Sequence, residues 1–128
     1  MVEADKIYKS RSTGVIISPI GSGEGTFSLG GEELEELREL SPELEGKEKH
    51  VPIIKVEGNR VTVNVGAIDH PMEEDHYIEF IQLLKNEKVV AEKRLYPGDK
   101  PRAIFIVDDT SDLRAREFCN LHGLWSSE

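Results

Sequence analysis

Near the C-terminus, Cys119-Asn120-Leu121-His122-Gly123-Leu124-Trp125 holds the chain's only cysteine and only tryptophan, with a histidine three residues after the cysteine. A soft thiolate and an imidazole at this spacing can close onto one metal ion from a single tight turn. The other histidines are His50, His70 and His76. His70 and His76 bracket Pro71-Met72-Glu73-Glu74-Asp75, a loop able to turn both imidazoles inward from the rim of a sheet. His50 opens a strand-like run in which Pro52 removes a backbone donor, as happens at strand starts. Taken singly, each histidine is more often structural or solvated than a ligand. None of them lies in the middle of an apolar run, however, where a satisfied core histidine belongs. Together with Cys119 they read as one five-ligand set.

Five nitrogen and sulfur ligands discriminate among metals. Structural zinc closes a tetrahedron with four, so four histidines and a cysteine are one too many. A blue-copper site takes two histidines, a cysteine and a weak axial ligand such as methionine. Met72 could serve there, but two histidines would then have no role. Four imidazoles in a plane with an axial thiolate suit iron in square-pyramidal geometry, with the sixth position open opposite the sulfur. An open position on a redox-active metal points to chemistry on a small molecule. The competing reading is a non-catalytic zinc or copper site on a β scaffold.

The elements that must position these residues are short. At 128 residues and 38% hydrophobic, the chain can bury one core, with room for a small appendage. It has no apolar run of about 18 residues, so no membrane span is expected. Its start, MVEADKIYK, lacks an apolar signal-peptide core, which makes cytoplasmic the expected location. One cysteine forms no intrachain disulfide. A net charge of -9 argues against nucleic acid as a partner, and an anionic substrate would need a local cationic guide.

In residues 1–40, Ile7-Tyr8-Lys9, Val15-Ile16-Ile17 and Thr26-Phe27-Ser28-Leu29 are strand candidates separated by glycine-rich turns. Leu34, Leu37 and Leu40 in Glu32–Leu40 are spaced for one or two helical turns with a solvated acidic face. Residues 41–49 read as a mobile linker or loop. From His50 onward the pattern is β. Arg60 to Gly66 alternates, with Val61, Val63 and Val65 on one face. Tyr77–Leu84 matches Val89–Leu95 across a polar turn, and Pro97-Gly98-Asp99-Lys100-Pro101 is a turn signal. Ala103–Val107 and Arg114–Cys119 complete the set, the latter as the last strand. About six short strands and no long helix predict an all-β chain: an immunoglobulin-like antiparallel β-sandwich over 50–128 with a small N-terminal β-rich module.

Three segments, Glu48-Lys49-His50-Val51-Pro52, Gly66-Ala67-Ile68-Asp69-His70-Pro71-Met72-Glu73-Glu74-Asp75-His76-Tyr77-Ile78 and Cys119–Trp125, resemble superoxide reductases of the desulfoferrodoxin/neelaredoxin family. The likeness covers residues 48–125. It implies one Fe(II)/Fe(III) centre per chain, with His50, His70, His76 and His122 equatorial and Cys119 axial. The implied activity is one-electron reduction of superoxide to hydrogen peroxide, without the dioxygen that dismutation releases. Lys49 would draw the anion to the open position and help deliver a proton, with Lys47 adding to the field. Glu48 would occupy the vacant position after peroxide leaves. Re-reduction would need an external donor such as rubredoxin, and a dimer or tetramer is expected.

Family members with two iron centres begin with a desulforedoxin-like domain built on Cys-x-x-Cys and a later Cys-Cys pair. Ile7 to Gly14 resembles the first half, but Ser10 and Thr13 stand where the cysteines would be, and the second pair falls near Ser28 and Leu29. Hydroxyls and a leucine cannot replace four thiolates around iron. The resemblance is therefore to members whose N-terminal module has lost its metal. For Trp125, packing in the core and shielding of the site are both open readings, with packing preferred.

Overall fold

The structure, a computed structural model, describes residues 1–41 and 50–127, and every regular element in it is a strand. Glu48, Lys49 and Lys47 lie outside the described residues, as does most of the expected 41–49 loop. The chain divides into two compact units, Met1–Arg38 and Glu39–Glu128.

In the second unit, Pro52–Glu57 (β6), Arg60–Val65 (β7) and Arg102–Ile106 (β10) form one antiparallel sheet, in the order β10-β7-β6. Ile78–Lys85 (β8), Lys88–Arg94 (β9), Leu113–Cys119 (β11) and Gly123–Ser126 (β12) form a second, ordered β12-β11-β8-β9. The alternation in β7 does what its period predicts: Val61, Val63 and Val65 are fully buried. They join Ile78, Ile81, Leu83, Ala115 and Cys119 of the second sheet in one apolar cluster. The β8–β9 hairpin turns on Asn86 and Glu87, both at positive φ (49° and 65°), as a two-residue turn matched to strand twist requires.

Two expectations need correction. Arg114–Cys119 is not the last strand, because β12 follows it and pairs with it from Arg116↔Ser126 to Cys119↔Gly123. Four residues with Leu124 and Trp125 both buried carry no alternation that could signal a strand.

The segment Glu32–Leu40 is not helical. In the first unit, Tyr8–Lys9 (β1) lies between Ile16–Ile17 (β2) and Glu35–Glu36 (β5), while Ser28–Leu29 (β3) pairs with Glu32–Glu33 (β4). Leu34 and Leu37 donate their backbone N–H to the carbonyls of Phe27 and Ile7, at 2.9 and 2.7 Å, and not along their own segment. A helix this short nucleates poorly, and Glu32 would face Glu35 and Glu36 at repelling spacings. Pairing with distant backbone wins.

Candidate metal centre

Cys119 ends β11, and Gly123 opens β12 directly opposite it, so Asn120-Leu121-His122 is a three-residue hairpin loop. Gly123 sits at φ +94°, a conformation L residues rarely adopt, which permits the tight return. The register shifts here as well: Phe118 faces Phe80, but Cys119 faces Ile78, leaving Glu79 as an extra residue on β8. Such bulges re-aim side chains at sheet ends. Cys119 is fully buried, with its Sγ 4.0 Å from His122 Nδ1.

The four imidazoles close a ring. Centroids are 4.6 Å apart for His50–His70, 5.0 Å for His70–His76, 5.1 Å for His76–His122 and 4.9 Å for His122–His50. In a square of that side the centroids lie about 3.5 Å from the centre and a ring nitrogen about 2.3 Å, close to imidazole–metal bonding distance. Ligand atoms of His50, His70 and Cys119, and those of His76, Cys119 and His122, each lie within 4.8 Å of one another. Cys119 belongs to both triads, so the five residues make one mononuclear metal site. His50 and His70 are buried and His122 is exposed, which leaves one side of the ring towards solvent. The donor set fits iron: four borderline imidazoles and one soft thiolate exceed what tetrahedral zinc takes.

Local contacts aim these ligands. His70 Nδ1 donates to the Pro71 carbonyl (2.8 Å), which puts the lone pair for a metal on Nε2. Its backbone N–H reaches the Val65 carbonyl (3.3 Å), tying it to the end of β7. Met72, the candidate copper ligand, is engaged elsewhere: its sulfur accepts from the Ile78 N–H at 3.4 Å and its side chain packs on the core.

Asn120 is a site residue that its sequence context does not single out. Its side chain accepts from the Tyr77 N–H (2.9 Å) and donates to the Asp75 carbonyl (3.0 Å), and its backbone N–H donates to the Tyr77 carbonyl (3.2 Å). These three bonds lash the residues on either side of His76 to the Cys119–His122 hairpin. The one available signal is an amide, both donor and acceptor, inside a Cys-x-x-His turn.

Glu117 lies in Ala115-Arg116-Glu117, which also matches the family in order, but the match does not show its burial. Glu117 is fully buried two residues before Cys119, burial pushes its carboxyl well above the ordinary range, and neither oxygen has a hydrogen-bond partner among the described residues.

In the first unit, Ser10 to Gly14 forms a tight turn. The Thr13 N–H donates to Ser10 Oγ (3.2 Å) and the Gly14 N–H to the Ser10 carbonyl (2.9 Å). Ser10, fully buried, donates its hydroxyl to Glu32 (2.5 Å), and that bond helps hold the Glu32 carboxyl below its ordinary pKa. Ser28 and Leu29 are exposed. Among the described residues, the His and Cys groups able to hold a metal all lie in the second unit.

A desulfoferrodoxin family model matches residues 43–128. The chain belongs to the desulfoferrodoxin family. A desulfoferrodoxin homolog from Archaeoglobus fulgidus is 45% identical over 99% of both chains. Among solved structures, the superoxide reductase from Treponema pallidum superposes with a TM-score of 0.75 at 28% identity, covering 96% of this chain and 97% of its own. The superoxide reductase (1Fe-SOR) from Giardia intestinalis gives 0.57 at 38% identity, covering 63% of this desulfoferrodoxin-family chain and 96% of its own. No helix among the described residues is long and apolar enough to cross a membrane.

Proposed function

We propose that this chain is a superoxide reductase, taking superoxide, one electron and two protons to hydrogen peroxide. The observation that carries the reading is the closed ring of His50, His70, His76 and His122 with Cys119 common to both ligand triads. Bound iron supplies the electron and an open coordination position. His50, His70, His76 and His122 would hold the iron through their imidazoles. The Cys119 thiolate would be the soft, electron-donating ligand of the set, tuning the bound iron for this chemistry.

Lys49, adjacent to His50, would attract the anion against the overall negative charge and deliver a proton, and Glu48 would offer a carboxylate to the metal. Support for these two roles is their sequence position beside a ligand and the family likeness. The sheets β10-β7-β6 and β12-β11-β8-β9 are read as an immunoglobulin-like sandwich, supported by the one apolar cluster to which both contribute. Residues 1–40 are read as a degenerate desulforedoxin-like module without metal ligands, followed by an active-site loop at 41–49 and the catalytic domain at 50–128. The electron then comes directly to the catalytic centre from a cytoplasmic donor such as rubredoxin, and the working form is a homo-oligomer.

The test is stoichiometry. The iron-loaded protein, given superoxide and a reductant, should form one peroxide per superoxide without dioxygen. Half a peroxide with matching dioxygen would mean dismutation, and no consumption would defeat the assignment.

A further inference from the structure

Trp125 stands outside the main apolar cluster although it is only 5% exposed. Its ring stacks on the His50 imidazole, with centroids 5.0 Å apart and planes 12° from parallel. At the other edge of the same indole, Nε1–H donates to the backbone carbonyl of His122 at 3.1 Å. His50 and His122 are themselves neighbours in the imidazole ring, 4.9 Å apart. One side chain therefore touches two ligand-bearing residues through two different interactions.

We propose that Trp125 is a positioning residue for the metal centre: its face fixes the ring plane of His50 and its N–H fixes the Cys119–His122 turn, so that both imidazoles face the ion before it arrives. This rests on the reading of the five residues as an iron site.

The physical need is specific. The χ2 torsion of histidine is broad, so an imidazole ligand keeps its plane only if something outside the metal's own shell holds it. For His70 that partner is the Pro71 carbonyl. For His50 it is the indole face. Phenylalanine could supply the face without the donor, and an aliphatic residue neither. Only tryptophan has a flat apolar face and a rim N–H disposed to serve both at once.

The backbone around Trp125 makes the support rigid. Trp125 lies opposite Glu117 in β11 and forms a parallel bridge with Leu40 on its other side. The Leu40 N–H donates to the Leu124 carbonyl (2.8 Å), and the Ser126 N–H donates to the Leu40 carbonyl (3.0 Å). A ligand-orienting side chain on a strand paired at both edges moves less than one on a loop.

The experiment compares Trp125→Phe and Trp125→Leu with Phe118→Leu. Phe118 is a buried residue of β11 whose ring stacks on Phe80 (5.8 Å, 15°). Three quantities are read on the iron-loaded full chain: the rate of iron(II) loss to a chelator, the position of the thiolate-to-iron(III) absorption band, and the thermal midpoint. Trp125→Leu should lose iron about 10-fold faster or more and shift the band, the size seen when a ligand's outer partner is removed. Trp125→Phe should fall between it and the wild type, because it keeps the stack and loses the donor. Phe118→Leu should lower the midpoint with iron loss and band unmoved. If both Trp125 variants keep the wild-type loss rate within twofold and the same band, Trp125 only packs and the proposal is overturned. Should Trp125→Leu not fold, Trp125→Phe decides by the same criterion. A wild-type chain that takes up no iron would overturn the iron reading and this proposal together.

Discussion

His70 and Asn120 do comparable work at the site, yet only one could be read from the sequence. A histidine or cysteine announces metal chemistry by its type, and five of them in pointed contexts narrow the metal by donor type and number alone. Asn120 announces nothing, because its value lies in meeting Asp75 and Tyr77, which are more than 40 positions away in the chain. Trp125 is similar: its identity suggests core, and only its contacts with His50 and His122 say otherwise. Asn120→Ala removes two side-chain bonds between the His76 segment and the hairpin. It should cost about 1–3 kcal/mol of stability and speed iron loss, both measurable by thermal unfolding and chelator competition. Unchanged iron retention would confine Asn120 to a structural role.

At the scale of elements, β7 and the β8–β9 hairpin were legible because alternation and turn chemistry are local properties. The β12 strand and the strands in Glu32–Leu40 were not, since their partners are distant and their own residues favour nothing in particular. The connection after β10 offers a pH test. Asp109 accepts from the Ser111 N–H (2.9 Å), the Ser111 hydroxyl (2.8 Å) and Lys85 Nζ (3.0 Å). The Ser111 backbone bond foremost, then its hydroxyl and Lys85, pull the carboxyl down from 3.8 to about 2. A depressed carboxyl stabilises the fold above its unfolded pKa, and that contribution disappears as pH falls through about 2. Asp109→Asn should therefore be slightly less stable than the wild type at pH 6, with the difference shrinking from pH 4 downward. A gap constant with pH would contradict the assignment.

For the whole molecule, charge and the division into two units matter most. A chain at -9 repels superoxide, so the capture rate depends on a local cation, which the proposal assigns to Lys49. Lys49→Ala should slow capture several-fold at low salt and flatten its dependence on ionic strength. An unchanged low-salt rate would remove Lys49 from the mechanism. That the first unit holds no cysteine is plain from the sequence, but the buried Ser10 hydroxyl bonded to Glu32 is not.

The most direct test of the account counts iron per chain and records the optical spectrum before and after mild oxidation, in the wild type and in Cys119→Ser. About one iron per chain is expected, with a broad thiolate-to-iron(III) band that appears on oxidation and is absent from Cys119→Ser, together with its reductase activity. Two irons per chain, a band that survives in Cys119→Ser, or bound zinc with no band would contradict it.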